Sequence, residues 1–296
     1  MGYRVVIIGL GVIARHHATA LLQTERFCLC GVCDLREEAA HNDLYRGLPF
    51  FRDYEALLAA VRPDIAIIAT PPATHYSIAR SCVAQGVLPI VEKPLAATDE
   101  EGWLFFGEAM RDKYIPVCHT LYGAEMLWMA EHLPLTHISS IRMELCDPYA
   151  DASGHIAGQY IPLGGSWLDS APNALAPLLN MVPSLTDISV SHLRDAHSGL
   201  PYSSSLTARH EDTAIAIDIA WHRGISNKQT EIYADGRHVL LDHSAQSVTI
   251  DAERVFKADG ERLTRQYTNF YQLYPAGIPT EEKMKYMYQI IYGHLI

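Results

Sequence analysis

The most constraining feature of this sequence is a glycine-rich turn between a predicted strand and a predicted helix. The continuous apolar run Tyr3–Ile8 predicts a strand buried on both faces, and helical spacing follows over Val12–Gln23. The turn that joins them reads G-L-G-V-I-A from residue 9, and Asp34 ends a second apolar run, Phe27–Cys33. Strand, turn, helix, strand and acid in this order predict the dinucleotide-binding unit of a parallel α/β sheet.

Each position of the turn has a physical task in that interpretation. Gly9 permits the tight turn, and Gly11 lets the backbone approach a pyrophosphate. Val12 and Ile13 open the helix, so their N–H groups and the positive end of the helix dipole would face the phosphates. A glycine-rich turn in some other α/β fold is the alternative, and the ordered context disfavours it.

The residues after the second predicted strand bear on the choice of dinucleotide. Asp34 would accept hydrogen bonds from the adenosine ribose hydroxyls, which favours NAD because a carboxylate repels a 2′-phosphate. Arg36 would neutralise that phosphate or stack on adenine. We therefore expect NAD or NADP as cofactor, with NAD favoured.

The first 120 residues continue the alternation of strands and helices. Apolar runs predict further strands at Asp64–Thr70, Val87–Val91 and Ile115–Cys118. Helical spacing predicts helices at Arg36–Leu44, Tyr54–Val61, His75–Gly86 and Thr98–Arg111, the last with Thr98 as its N-cap. The pattern predicts an α/β Rossmann domain, a doubly wound parallel sheet, over residues 1–120.

The pattern changes after residue 120. Helices are predicted at Met126–His132, Pro172–Leu179 and Glu281–Ile290. Short strand-like segments separated by turn residues are predicted at Ile138–Cys146, Ile188–His192, Ser204–Arg209, Thr213–Trp221, Gln229–Ala234, Arg237–Asp242 and Ser247–Ile250. We therefore expect residues 121–296 to form an α+β domain with a mostly antiparallel sheet.

Charge and composition exclude some classes of partner. The 296 residues carry 23 Lys and Arg against 34 Asp and Glu, a net charge of −11, and no basic run occurs. A nucleic-acid or anionic-membrane surface is therefore not expected. The N-terminal apolar run is broken by Gly9 and Gly11 and is too short to span a bilayer, so we expect a cytoplasmic protein.

Three of the six cysteines, Cys28, Cys30 and Cys33, fall within one apolar run. Their spacing is compatible with a metal site, but small buried thiols are common in such strands. We expect buried, reduced thiols and no metal site. Asp151 and His155 have the four-residue spacing of two metal ligands on a helix, but the sequence offers no third ligand at a convincing spacing.

Four segments of the sequence resemble the Gfo/Idh/MocA oxidoreductase family. They are VIIGLGVIARHHATAL at 6–21, IAIIATPPATHYSIA at 65–79, GVLPIVEKPLA at 86–96 and GGSWLDSAPNALAPLL at 164–179. The resemblance implies a Rossmann domain followed by an α+β domain, with the reaction taking place between them. It also implies a small-molecule substrate and a homo-oligomer formed through the open sheet.

Lys93 follows a predicted parallel strand, so it would lie at the sheet edge where such folds bind ligands. A lysine there can exchange a proton with a substrate oxygen, and the resemblance implies this catalytic role. In the family the peptide bond that corresponds to Lys93–Pro94 is often cis. The resemblance further implies that cofactor contacts come from Glu92 and from the T-P-P-x-T-H segment, through Thr70, Pro71, Pro72 and His75.

The resemblance places the rest of the site at Asp169 and Asn173, one helical turn apart. Many family members have histidine at the second position, but an amide cannot titrate, so Asn173 would only orient a substrate hydroxyl. Proton transfer would then fall to Lys93, to Asp169, or to both. His155, Gln159 and Trp167 are further candidates for substrate contact.

The D-x-x-x-N pattern resembles the aldose 1-dehydrogenase branch of the family, which oxidises L-arabinose or D-galactose to lactones. Two alternatives stay open: a reductase of another carbonyl or imine, and a non-catalytic dinucleotide sensor. Retention of both Lys93 and Asp169 disfavours the sensor, because a sensor needs no proton-transfer pair.

Overall fold

A computed structural model describes residues 2–295, which form two compact units. The first unit contains residues 2–118 and 263–285, and the second contains residues 119–262 and 286–295. The chain leaves the first unit after residue 118. Residues 263–285 return to the first unit, so a single boundary does not separate the two units.

Eight α-helices are described. In chain order they are α1 (Val12–Leu22), α2 (Tyr54–Val61), α3 (His75–Ala84), α4 (Asp99–Phe105), α5 (Ala124–His132), α6 (Gly165–Met181), α7 (Arg262–Leu273) and α8 (Glu281–Tyr292). Within residues 2–295, none of these helices combines the length and apolar character that crossing a bilayer requires.

Fourteen strands are described. They are β1 (Tyr3–Ile8), β2 (Phe27–Cys33), β3 (Phe50–Phe51), β4 (Ile65–Ile68), β5 (Leu88–Val91), β6 (Ile115–Pro116), β7 (Ile138–Cys146), β8 (Thr186–Arg194), β9 (Pro201–His210), β10 (Thr213–Ala220), β11 (Asn227–Ala234), β12 (Arg237–Asp242), β13 (Ser247–Ile250) and β14 (Glu253–Lys257).

The first unit contains a six-stranded parallel sheet in the order β3-β2-β1-β4-β5-β6. Its central strands are fully buried because helices cover both faces, which explains why Val5–Ile8 and Ile65–Ile68 are continuous apolar runs. Strand order reverses beside β1, where β2 lies on one side and β4 on the other. Ligands of such folds bind at the carboxyl ends of the strands at this point.

The second unit contains an eight-stranded sheet in the order β14-β13-β12-β11-β7-β10-β9-β8. All neighbours are antiparallel except β7 and β10. Helix α6 is buried from Gly165 through Leu179 and packs on the central strands. The predicted fold class, a Rossmann sheet plus a mostly antiparallel sheet, is confirmed.

Several predicted helices differ in the structure. Arg36–Leu44 forms two 3₁₀ turns, Glu37–His41 and Asp43–Tyr45, because Asn42 between them is extended and its side chain caps the second turn. Helix α4 stops at Phe105, although Thr98 caps it as predicted. Helix α7 and strands β3 and β14 were not predicted.

Helix α6 also differs, because it begins at Gly165 and not near Pro172. Pro172 lies inside the helix, as does Pro177. Asp169 and Asn173 still lie one turn apart on this helix, as predicted.

Candidate active site

Gly9 sits at the end of β1 in a conformation that requires glycine. Its φ is +91°, and a Cβ at this position would lie 2.6 Å from the Ala69 carbonyl oxygen and 2.8 Å from the Thr70 nitrogen. The turn therefore passes against the end of β4 with no room for a side chain.

Gly11 differs from Gly9 because a Cβ there would meet no atom within 4 Å. It is the N-cap of α1, it has ordinary backbone angles, and no side chain caps the helix. Val12 beside it is 70% exposed. The N-terminus of α1 thus presents its backbone N–H groups to open space, which fits the approach of a pyrophosphate.

Asp34 is tied to this turn by hydrogen bonds. Its Oδ2 accepts from the Leu10 N–H at 2.8 Å, and its Oδ1 accepts from the Arg36 N–H at 2.9 Å and from Arg36 Nε at 3.3 Å. Partial burial alone would raise the pKa of Asp34, but the backbone bonds from Arg36 and Leu10 and the nearby guanidinium outweigh it and lower the pKa. The carboxylate is therefore charged and fixed beside the turn.

A cavity of about 250 Å³ lies next to Asp34. It is lined by Leu10, Arg15, Arg36, Glu38, Ala39 and Asn42. Two guanidinium groups outnumber the single Glu38 carboxylate in this lining, so the cavity is suited to an anion. Sequence reasoning identified Arg36 but missed Arg15, although Arg15 follows directly after the G-x-G-x-x-A pattern.

His75 lies between the end of β4 and the Lys93–Pro94 turn. Its Nε2 is 2.7 Å from the Thr70 carbonyl oxygen and its Nδ1 is 3.0 Å from the Pro94 carbonyl oxygen. The side chain is buried, and burial lowers its pKa. Both ring nitrogens face the protein's own backbone, so the geometry argues against the predicted direct cofactor contact and gives His75 a positioning role.

The rest of the T-P-P-x-T-H segment lies beside His75. Pro71 is exposed and Thr70 is half-buried, so both are accessible to a bound molecule, whereas Pro72 is buried. The Thr74 hydroxyl donates to the Thr70 hydroxyl at 2.8 Å. Of the residues in this segment that were predicted to contact the cofactor, Thr70 and Pro71 are therefore the accessible ones.

Glu92 is buried in a side-chain cluster with His17, Tyr267 and Tyr271, here called the Glu92 cluster. Its Oε1 accepts from the Tyr267 hydroxyl at 2.6 Å and lies 2.9 Å from His17 Nε2. His17 Nδ1 lies 2.6 Å from the Tyr271 hydroxyl, and burial raises the pKa of Tyr271. The His17 ring thus bridges the Glu92 carboxylate and the Tyr271 hydroxyl, with one ring nitrogen at hydrogen-bond distance from each.

The same carboxylate reaches the backbone of the candidate catalytic residue. Glu92 Oε2 accepts from the Lys93 N–H at 3.2 Å, and the Lys93–Pro94 peptide is cis. Lys93 itself is half-buried at the carboxyl end of β5, as predicted. The buried Glu92 carboxylate therefore fixes the backbone at Lys93. Because Glu92 is buried, the geometry argues against the predicted direct contact between Glu92 and the cofactor.

Sequence reasoning missed Tyr267 and Tyr271 because it missed α7. The signal was present, since Tyr267, Phe270, Tyr271 and Tyr274 recur at the three- and four-residue spacing of a buried helix face.

In the second unit, Asp169 and Asn173 are held by α6. Two glycines with positive φ open the helix, and a Cβ on Gly165 would lie 2.8 Å from Pro201 Cδ, so the helix start packs directly on β9. Asp169 is 6% exposed and accepts from the Ser170 hydroxyl at 3.2 Å, and Asn173 is 7% exposed. Both polar side chains lie in a mostly apolar helix, which marks them as functional candidates.

The other predicted substrate residues fall into two groups. Gln159 and His155 are exposed, and His155 Nδ1 lies 3.5 Å from Asp195 Oδ1. Trp167 is 1% exposed, and its indole N–H donates to the Ile291 carbonyl at 2.9 Å. The ring of Trp167 is thus packed in the core, which argues against the predicted sugar contact.

An aromatic group near Asp169 was missed. Tyr149 stacks on Tyr160 with ring centroids 4.4 Å apart and meets the edge of Trp221 at 5.1 Å. Burial raises the pKa of Tyr149, and the nearby carboxylates of Asp147 and Asp169 raise it further. The Tyr149 phenol is therefore a neutral hydrogen-bond donor within electrostatic reach of Asp169.

Lys228 forms a buried ion pair with Asp147 at the end of β7. Asp151, the residue considered for a metal pair, instead accepts from the Ser153 N–H and hydroxyl and from the His155 N–H. Within residues 2–295, no three His, Cys, Asp or Glu side chains are placed to share a metal ion.

Comparisons with known proteins bear on the sequence of the first unit and on the fold. Residues 3–105 match the model of the GFO/IDH/MocA oxidoreductase family, described as an NAD-binding Rossmann fold. D-glucoside 3-dehydrogenase of Escherichia coli K12 is 33% identical over 101 residues, which cover 33% of this chain and 29% of that protein. The chain thus spans less than a third of this curated relative.

Solved structures extend the likeness to nearly the whole chain. UDP-N-acetylglucosamine 3-dehydrogenase from Acidithiobacillus ferrooxidans has a TM-score of 0.79 at 17% identity, covering 98% of this chain and 96% of that one. Levoglucosan dehydrogenase, solved with NADH and levoglucosan, has a TM-score of 0.80 at 15% identity and covers 100% and 96%. At these identities the likeness shows the fold.

Proposed function

We propose that this chain, whose residues 3–105 carry the NAD-binding Rossmann fold of the GFO/IDH/MocA oxidoreductases, is an NAD(P)-dependent dehydrogenase that oxidises a sugar hydroxyl. The observation that carries the proposal is the glycine turn. It brings a helix N-terminus, open space at Gly11 and a fixed Asp34 carboxylate to the strand-order reversal of a parallel sheet. This arrangement fits a dinucleotide.

The bound nicotinamide would supply a hydride acceptor. Lys93 would hold the reacting sugar oxygen and stabilise the negative charge that develops on it. Either Lys93 or Asp169 would take the hydroxyl proton. Asn173 would orient a neighbouring hydroxyl, because its amide donates and accepts hydrogen bonds but does not titrate.

For the cofactor, we propose that NAD is favoured and NADP is accepted. The Asp34 carboxylate suits the two ribose hydroxyls of NAD. The cavity beside it carries Arg15 and Arg36, which suit the 2′-phosphate of NADP. The negative charge of Asp34 is already partly balanced by the Arg36 guanidinium, which reduces its repulsion of a phosphate.

For the substrate, we propose an aldose oxidised at C1 to a lactone, as the D-x-x-x-N pattern on α6 suggests. A second candidate is oxidation at C3, which the names of the D-glucoside and UDP-N-acetylglucosamine dehydrogenases favour. Tyr149 and Tyr160 support a sugar in either case, because stacked aromatic rings pack well against the apolar face of a pyranose.

The test is a panel of free aldoses, glycosides and UDP-sugars with NAD and with NADP, monitored by the absorbance of the reduced nicotinamide. A lactone product supports C1 oxidation and a 3-keto sugar supports C3 oxidation. Lys93→Ala should reduce turnover by on the order of 10²-fold, while Lys113→Ala, an exposed lysine of the same unit, should leave it unchanged.

Two results would contradict the proposal. Full turnover in Lys93→Ala would remove the catalytic assignment. Tight dinucleotide binding without turnover of any sugar would favour the carbonyl or imine reductase, or the dinucleotide sensor.

We further propose a homo-oligomer that uses the open face of the eight-stranded sheet. On β8 every residue is exposed or half-buried, and Leu193 and Tyr233 are large exposed hydrophobic residues on the sheet. Light scattering of the purified protein decides the point, since a monomer at micromolar concentration would contradict it.

A further inference from the structure

The cysteine group on β2 is not the buried cluster that the sequence predicted. Cys28 is exposed and Cys30 is half-buried, whereas Cys33 is buried as expected. Cys82, Cys118 and Cys146 are also buried. Solvent therefore reaches two neighbouring thiols, and the function proposed above uses neither of them.

A β-bulge lies at this pair. In the parallel ladder between β1 and β2, Val5 pairs with Leu29 and Val6 pairs with Gly31, so Cys30 has no counterpart on β1. A bulge distorts the regular spacing of side chains along a strand. Here the Cys30 Sγ lies 3.6 Å from the Cys28 Sγ and 3.1 Å from the Cys28 carbonyl oxygen.

We propose that Cys28 and Cys30 are a reversible dithiol that closes to an intrastrand disulfide when a hydroperoxide oxidises it. The sulfur atoms are already in contact, and one residue separates the two cysteines, so ring closure costs little chain entropy. The bulge is also the part of the ladder where the backbone can shift without breaking regular pairing.

The reaction balances with hydrogen peroxide as the oxidant. The Cys28 thiolate attacks one peroxide oxygen, the O–O bond breaks, and the departing hydroxide takes a proton to become water. The Cys30 sulfur then attacks the Cys28 sulfenic acid, forming the S–S bond and breaking the S–O bond, and the second hydroxide leaves as water with the Cys30 proton. Two thiols lose two electrons, and the peroxide gains them.

The surroundings favour this pair over the other thiols. Burial raises the pKa of Cys33, Cys82 and Cys118 to about 12, so these thiols stay protonated at neutral pH. Burial and its contact with Cys28 also raise the pKa of Cys30. Cys28 is the more exposed of the two residues, so we assign it as the attacking sulfur. Arg4, which pairs with Cys28 across the ladder, carries a positive charge that partly offsets the rise in the pKa of Cys30.

The experiment treats the full-length protein with hydrogen peroxide and follows it by intact mass and peptide mapping. Wild type should lose two hydrogen atoms and stay a single chain. The new linkage should join Cys28 to Cys30, and dithiothreitol should reverse it. A Cys33→Ser variant, which removes the buried thiol of the same strand, should behave like wild type.

Cys30→Ser gives the matched test of the second step, because it removes the resolving sulfur and keeps the exposed Cys28. Peroxide should then leave Cys28 as a sulfenic acid that dimedone traps, at a yield at least about tenfold above wild type. The thermal unfolding midpoints of the two proteins should agree, because Cys30 is only half-buried.

Three results would overturn the proposal. They are a wild-type Cys28 that dimedone traps as fully as in Cys30→Ser, a linkage that involves any other cysteine, and retention of both thiols under peroxide.

Discussion

The glycine turn and the Glu92 cluster are both parts of the first unit, but they are built in different ways. At Gly11 the turn presents backbone to open space, whereas at Gly9 it passes so close to Ala69 that a side chain has no room. The Glu92 cluster is fully buried and depends on side chains from three separate parts of the chain. The comparison indicates that backbone groups form the proposed dinucleotide-binding turn, whereas buried side chains position Lys93.

Within the turn, substitutions of Gly9 and Gly11 should affect different quantities: the first the stability of the fold, the second the affinity for NADH. Gly9→Ala should lower the free energy of unfolding by about 1–3 kcal/mol or more, because the new Cβ clashes with Ala69 and φ is positive. Gly11→Ala should unfold like wild type, since its Cβ enters open space, but it should bind NADH at least about tenfold more weakly. Calorimetric unfolding and titration with NADH measure the two effects.

Gly9→Ala with unchanged stability would refute the close approach to β4. Gly11→Ala with unchanged NADH affinity would show that the pyrophosphate does not approach this residue.

In the Glu92 cluster we expect the opposite pattern. Glu92→Gln removes the charge that accepts from Tyr267 and Lys93, so kcat should fall about tenfold while the affinity for NADH stays the same. Steady-state kinetics and NADH titration of the same preparation separate these two quantities. A weaker NADH affinity with unchanged kcat would make Glu92 a cofactor residue, as the sequence predicted.

Tyr271→Phe is the control for this variant, because it removes one hydroxyl contact to His17 and leaves Glu92 intact. It should cost about 0.5–1.5 kcal/mol of stability and change kcat by less than Glu92→Gln does.

The cavity beside Asp34 should discriminate between the two dinucleotides. Arg36→Ala and Arg15→Ala should each weaken NADP binding about tenfold, and they should weaken NAD binding less, because only NADP carries the 2′-phosphate. The ratio of the two dissociation constants is the quantity to measure. Equal losses for NAD and NADP would mean that these arginines do not contact the 2′-phosphate.

The smallest effect concerns pH. Burial lowers the pKa of His75 below its ordinary value of 6.5. As the pH falls below 6.5, His75 therefore binds a proton more readily in the unfolded chain than in the folded chain. Stability should therefore be fully present above pH 6.5 and decline as the pH falls toward the lowered pKa. One such histidine contributes at most about 1.4 kcal/mol per pH unit.

His75→Gln should flatten this decline relative to wild type in urea titrations between pH 7 and pH 5. His192, whose pKa burial also lowers, provides a comparison in the second unit. An unchanged slope in His75→Gln would mean that the pKa of His75 is the same in the folded and the unfolded protein.

Sequence periodicity predicted the parallel sheet, the mostly antiparallel sheet and twelve of the fourteen described strands, because burial on one or two faces leaves a direct pattern along the chain. Gly9 and Gly11 were also identified from sequence, since the turn they form is local, and Asp34 was identified from its place after the second predicted strand. Their contacts with a cofactor stay predictions. The position of Lys93 after β5 followed from the predicted strand, whereas Asp169 and Asn173 on α6 came from the family resemblance. The roles of all three residues in the reaction stay predictions.

Tertiary structure alone decided which polar side chains meet. His17 contacts Tyr271 across 254 residues and Glu92 across 75, and no local pattern carries such a pairing. The same holds for the cavity that adds Arg15 to Arg36, for the packing of Trp167 against Ile291, and for the bulge at Cys30. Local spacing encodes which face of an element is buried, whereas these contacts depend on how distant elements pack together.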